Sequence, residues 1–232
     1  MVAERTYALL FASSLLVNGV GCALGNNDPM IDPPPSAPAT PEAQPTTSLR
    51  ESLRAPADLA VMADAETSFV TLTAGHVPSG ASKAVEMAVL GGDLDVHTTV
   101  AGLLVIDTLA VELSDLEVPA AFVPPEGIAL TGVIAHLDGP KAVEAEWSAD
   151  GSTATAELSL DVVVDWAIRS EDGEVIQLSP LVITGMTMDV SLARGSDGHI
   201  AAHLSGLSSG AFWSWAGILE LSDLSVEVSA QR

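Results

Sequence analysis

Two carboxylates and an imidazole alternate with apolar residues in one short segment of the chain. Asp93, Asp95 and His97 are separated by Leu94 and Val96. Because successive side chains of a β-strand point to opposite faces, an extended segment places the three polar groups together on one face. Carboxylate oxygens are the ligands that Ca²⁺ prefers, so this face is a candidate metal site. The same pattern is typical of the solvated face of a half-buried strand, and the sequence leaves both interpretations open.

A second candidate site is aromatic. Phe212, Trp213 and Trp215 lie close together in a chain with only 4% aromatic residues. In an extended segment Trp213 and Trp215 share one face and Phe212 lies on the other. Such a pair of indoles can form a ligand surface, by stacking on a sugar or by lining an apolar pocket. It can equally close the end of a β-core, because each large aromatic buries about 150–250 Å².

Catalytic motifs are absent from the sequence. It contains no Gly-x-Ser-x-Gly elbow, no phosphate loop, no dinucleotide fingerprint and no EF-hand loop. The only cysteine is Cys22, so the remainder of the chain offers no thiolate ligand, no cysteine nucleophile and no disulfide partner. We therefore expect a protein that is not an enzyme.

Cys22 ends a segment with the layout of an export signal. Arg5 gives a short basic start, an apolar run of 11 residues extends from Tyr7 to Val17, and small residues follow up to Gly21. This run is shorter than the ~20 apolar residues that a membrane-spanning helix needs. It fits the apolar region of a secretory signal peptide, which has about 7–15 residues.

The segment resembles the signal peptide of bacterial lipoproteins. Gly21 and Cys22 match the end of the lipobox, whereas Gly19 stands where leucine is usual. The resemblance implies that residues 1–21 are removed and that lipid on Cys22 anchors the protein to a membrane. By the same resemblance, Ala23 rather than aspartate after the cysteine implies the outer membrane, facing the periplasm or the cell surface. An ordinary signal cut near Ala23 is the alternative, which predicts export without an anchor.

A change of composition separates a tether from one domain. Residues 22–55 contain seven prolines among small and polar residues. Such a segment has too few large apolar side chains to offset the entropy of ordering, and its prolines favour an extended spacer. We therefore predict a disordered, lipid-anchored linker over 22–55. Residues 56–232 have uniform composition and are long enough for one domain with its own core.

Period-two alternation predicts that the domain is all-β. In residues 152–166, leucines and valines occupy one face and polar residues the other, and similar patterns occur at 127–137, 183–192 and 218–228. Asp-Gly pairs, which favour tight hairpins, separate these runs at residues 138, 150, 172 and 197. Short connections imply antiparallel neighbours. We expect an antiparallel sandwich or a curled, barrel-like meander, with at most short helices at 56–66 and 82–90.

Charge narrows the choice of partners. The chain carries a net charge of −23 and has only two lysines, Lys83 and Lys141. Nucleic acid is excluded because phosphate binding requires clustered basic residues, and anionic lipid headgroups are disfavoured for the same reason. Three roles for the acidic surface stay open, namely solubility by self-repulsion, binding of cations such as Ca²⁺, and contact with a basic protein.

Three functions follow from these features. The first is an extracytoplasmic, membrane-anchored lipoprotein whose non-catalytic β-domain binds a partner or has a structural role. The second is a carrier of an apolar or lipid ligand in a β-lined cavity, which the many apolar strand positions permit. The third is a metal-dependent hydrolase that uses Asp93, Asp95 and His97.

Overall fold

The computed structural model describes residues 47–118, 128–170 and 172–232. These residues belong to one compact unit, Ala43–Arg232. The signal peptide, Cys22 and most of the tether predicted above lie outside the described residues. None of the helices in the described part of the chain has the length and hydropathy needed to cross a bilayer.

The described chain consists almost entirely of strands. One short helix, α1, spans Leu49–Ser52. Thirteen strands follow in the order β1 Ala57–Val61, β2 Phe69–His76, β3 Ala81–Thr98, β4 Leu104–Leu113, β5 Leu116–Val118, β6 Ile128–Leu137, β7 Lys141–Val143, β8 Glu146–Trp147, β9 Thr153–Arg169, β10 Val175–Gln177, β11 Leu181–Arg194, β12 Ile200–Trp215 and β13 Leu219–Gln231.

Eight of these strands form a closed antiparallel sheet. Hydrogen-bonded neighbours follow the order β2, β3, β4, β6, β9, β11, β12 and β13, and β13 pairs with β2 to complete the ring. β1 pairs with both β3 and β13 and extends the ring beyond the end of β2. The ring has no free edge, so its backbone groups are paired on both sides. The predicted all-β, antiparallel fold is confirmed.

Alternation of side chains separates the two faces of the closed sheet. β9 shows this over its first fourteen residues, where buried and more exposed residues alternate without a break. Leucine, valine and alanine point inward, while glutamate, aspartate, serine and threonine occupy most of the outer positions. The sheet therefore encloses an apolar interior and presents an acidic outer surface to water.

Helix α1 closes one end of this interior, which we call the capped end. Leu49 and Leu53 are completely buried. The backbone N–H of Leu49 donates to the carbonyl oxygen of Gly151 at 2.9 Å. The backbone N–H of Thr98 donates to the carbonyl oxygen of Leu53 at 2.6 Å. The helix lies within the range 22–55 that composition assigns to the tether. The two leucines hold α1 against the end of the sheet, because burying each side chain contributes about 1.5–3 kcal/mol.

Sequence patterns predict four of the long strands correctly and assign two other segments wrongly. The alternating runs at 127–137, 152–166, 183–192 and 218–228 coincide with β6, β9, β11 and β13. All four Asp-Gly glycines have positive φ, as tight turns require. The short helices expected at 56–66 and 82–90 are wrong, because these segments contain β1 and the first half of β3. Pairing with neighbouring strands decides the structure of both segments.

Candidate ligand-binding lumen

A cavity of about 80 Å³ lies inside the closed sheet. We call the apolar interior around it the lumen. All eight strands of the ring contribute to its wall, and the lining residues are apolar apart from His136, whose side chain contacts Asp165 on the outer surface. An eight-stranded closed sheet is just wide enough to be filled by side chains or to hold one small ligand. Apolar cavities stay dry and can take apolar guests, so the lumen is the first candidate site.

Methionines make part of this wall adaptable. Met87, Met186 and Met188 line the lumen, and all three are almost completely buried. A Cβ atom on Gly206 would lie 3.1 Å from the Cε of Met188 and 3.4 Å from the Sδ of Met186, so the missing side chain leaves room for both thioethers. Methionine is unbranched and polarizable, which allows it to repack around guests of different shape.

Aromatic side chains lie at the end of the lumen opposite α1, which we call the aromatic end. The rings of Trp166 and Trp213 meet edge to face, with centroids 4.7 Å apart and planes at 68°. The indole Nε1 of Trp166 donates to the carbonyl oxygen of Ser179 at 3.1 Å, and the side chain of Gln177 donates to the Trp166 carbonyl at 2.8 Å. Trp166 is therefore fixed by polar contacts as well as by packing.

The two tryptophans predicted as a ligand surface lie at this aromatic end. Trp213 pairs with Leu221 and Trp215 with Leu219, so the two indoles share the inward face, as alternation predicted. Both leucines are buried, whereas both tryptophans are only half-buried and pack against the core. This position fits both interpretations, a cap on the core and a wall of a ligand site. Their role as a ligand surface stays a prediction.

The predicted metal residues lie on the outer face of β3. Leu94 and Val96 between them are completely buried, so Asp93, Asp95 and His97 point outward. His97 contacts Asp107 on β4, with 2.5 Å between Nδ1 and Oδ2, and Asp95 accepts a hydrogen bond from the Thr108 hydroxyl at 2.8 Å. Within the three described ranges, no three such groups are arranged to hold a metal ion. The Ca²⁺ site stays a prediction.

Charge pairs on the outer surface have local roles. Arg169 forms an ion pair with Asp115 at 2.6 Å, and a hydrogen bond from Thr131 together with this arginine lowers the pKa of Asp115. Two more histidines contact carboxylates on neighbouring strands, His136 with Asp165 and His203 with Glu227, each at 3.2 Å. Exposed pairs of this kind contribute little, about 0–1 kcal/mol each.

The sequence permits a β-lined cavity but does not identify the residues of its wall. The wall residues are ordinary core residues in the sequence, and only closure of the sheet brings β2 next to β13. One signal was available, because four of the six methionines lie in the domain and three of these occupy inward strand positions. Without the register between strands, that signal does not distinguish a filled core from a lumen.

Comparison with models of protein families, with curated proteins and with solved structures gives no match for this chain.

Proposed function

We propose that this chain is an exported protein, anchored to a membrane at Cys22, whose β-domain binds a small apolar ligand in the lumen. The observation that carries the proposal is the apolar cavity of about 80 Å³ enclosed by the closed sheet. Each CH₂ group that a ligand removes from water contributes about 0.8 kcal/mol. Because the wall of the lumen is apolar, binding of such a ligand gains this free energy without leaving a polar group of the protein buried and unpaired.

The volume of the cavity limits the size of the ligand. It is about half of the ~150 Å³ of an engineered cavity that binds benzene. A ligand of a few carbons fits with small shifts, and a chain as long as octan-1-ol requires Met186 and Met188 to repack. We therefore propose a short hydrophobic chain as the natural ligand class.

The two ends of the lumen favour one direction of access. α1 closes the capped end with two fully buried leucines and backbone hydrogen bonds. Among the described residues, side chains rather than a helix lie at the aromatic end, and Phe212, Trp213 and Trp215 are only partly buried there. Side chains rearrange much faster than a packed helix leaves its site, so we place the entrance at the aromatic end.

Binding is tested with octan-1-ol and the full chain carrying Cys22→Ser, which removes attached acyl chains as competitors. We expect the melting temperature to rise with the logarithm of the ligand concentration, by an amount that corresponds to about 2.7 kcal/mol at 100 Kd. Octane-1,8-diol is the matched control. Its second hydroxyl would be buried without a partner, at about 1–3 kcal/mol, so it should bind about tenfold more weakly. If the two compounds bind with equal affinity, or if neither compound binds, the proposal is contradicted.

The anchor is tested separately by Cys22→Ser in a bacterial host. One acyl chain binds a membrane only marginally, and two or more hold firmly, so the substitution should move the protein from the membrane fraction to the soluble fraction. A serine substitution elsewhere in the tether, such as Ala23→Ser, is the control and should leave the protein on the membrane. Continued membrane association of the Cys22→Ser protein would show that the anchor lies elsewhere.

A further inference from the structure

Lys83 lies on the inward face of the sheet at the aromatic end. It pairs with Ala74 on β2, and Ala74 pairs with Leu221 on β13. Leu221 in turn pairs with Trp213 on β12. Residues opposite one another in an antiparallel sheet project to the same face. Lys83 therefore belongs to a row of inward-facing residues whose other members are apolar, and unlike Ala74 and Leu221 it is exposed.

The distance from Lys83 to the cavity suits a short chain. Met87, which lines the lumen, is on the same strand and the same face as Lys83. The two positions are four residues apart, which corresponds to about 14 Å at ~3.4 Å per residue. Val85 lies between them on the inward face and is partly buried. The inward face of β3 between Met87 and Lys83 is therefore apolar.

Lys83 is an available positive charge at this end. Arg169, also at the aromatic end, forms an ion pair with Asp115 at 2.6 Å. No described carboxylate forms an ion pair with Lys83. The other lysine, Lys141, is on β7, which pairs with the start of β4 near the capped end. In a chain with a net charge of −23, a cation beside the lumen entrance locally offsets part of the negative field.

We infer that the ligand is amphipathic, with its apolar tail in the lumen and an anionic head group at Lys83. This inference rests on the proposed function and adds the chemistry of the head group. The net negative charge of the protein repels an anion, so an anionic ligand binds no worse than its neutral analogue only if a nearby cation offsets that repulsion. Lys83 is the described residue placed to do so.

The test compares octanoate with octan-1-ol, two ligands with the same tail length and different head groups. The measured quantity is the octanoate Kd divided by the octan-1-ol Kd, at pH 7.5 and low ionic strength, on the full chain carrying Cys22→Ser. For this background protein we expect a ratio of about one or below. Lys83→Gln should raise the ratio about fivefold, the upper range for one exposed charge pair. Lys141→Gln is the matched control and should leave the ratio unchanged.

Each outcome of the test has a distinct meaning. If Lys83→Gln leaves the ratio unchanged, or if Lys141→Gln raises it equally, the head-group inference is overturned while binding of the tail stands. If octan-1-ol itself fails to bind in a saturable way, the proposed function fails. Salt provides a further check, because 0.5 M NaCl should weaken octanoate binding and leave octan-1-ol binding nearly constant.

Discussion

The substitution Ala135→Leu tests whether the cavity can accommodate a larger side chain without strain. Ala135 lines the lumen from β6, and its side chain is only partly buried although it faces inward. Leucine adds three carbon atoms at that position. The cavity has a volume of about 80 Å³, and the measured penalty is about 24 cal/mol per Å³ of cavity. Filling it completely should therefore raise the free energy of unfolding by about 2 kcal/mol.

This stabilisation is measured by urea denaturation of the purified chain and by thermal unfolding. For a domain of this size, 2 kcal/mol corresponds to an increase in melting temperature of about 4–8 °C. The same substitution should weaken octan-1-ol binding at least about tenfold, because the leucine occupies the space of the ligand. Ala84→Leu adds the same atoms on the outer, exposed face of β3, and its effect should stay within about 0.5 kcal/mol.

A filled core gives the opposite result. Inserting methylene groups into well-packed side chains forces strained rotamers and destabilises by about 1–3 kcal/mol. If Ala135→Leu lowers the free energy of unfolding by such an amount and octan-1-ol binds as before, the reasoning from cavity volume is refuted.

Three further predictions concern the architecture around the lumen. Leu53→Ala, at a completely buried position of the capped end, should lower the free energy of unfolding by about 2–5 kcal/mol, whereas Leu90→Ala, at a 57% exposed position, should change it by less than about 0.5 kcal/mol. Gly92→Ala would place a Cβ 2.0 Å from a carbonyl oxygen of β4, whereas nothing lies within 4 Å of a Cβ on Gly91. Both glycines have positive φ, so in urea denaturation Gly92→Ala should be more destabilising by about 2–3 kcal/mol than Gly91→Ala. Hydrogen bonds from Ser148 and Ser152 lower the pKa of Asp150 to about 2, so its contribution to stability is complete above about pH 4 and is lost as the pH falls toward 2. Asp150→Asn should reduce the loss of stability between pH 4 and pH 2.5 in urea denaturation, and an unchanged pH dependence would show that these hydrogen bonds do not form in solution.

Local patterns in the sequence were sufficient for the strands and insufficient for their closure. Alternation over 152–166 predicted β9 because this strand has one dry and one wet face, and that contrast is visible in the residue types. Nothing in the sequence indicates that β2 pairs with β13, because this contact joins residues about 150 positions apart. A two-sheet sandwich and a closed sheet produce the same alternation.

The candidate site was predictable only in part. The shared face of Trp213 and Trp215 followed from their spacing and agrees with the register. The inward position of Lys83 does not follow from the sequence, which predicts a short helix over residues 82–90. Its place beside the lumen depends on the pairing of β3 with β2, which brings it next to Ala74. Functional groups at the end of a sheet are therefore visible only when neighbouring strands are in place.

The most direct test of ligand binding in the lumen uses the methionine methyl groups. With ¹³C-methyl methionine, the methyl signals of Met87, Met186 and Met188 report on the lumen, whereas Met62 lies on a separate surface and serves as an internal reference. Titration with octan-1-ol should shift the signals of the three lumen methionines together, with one saturation curve, and leave that of Met62 in place. Unchanged lumen signals, or an equal shift of Met62, would contradict binding in the lumen.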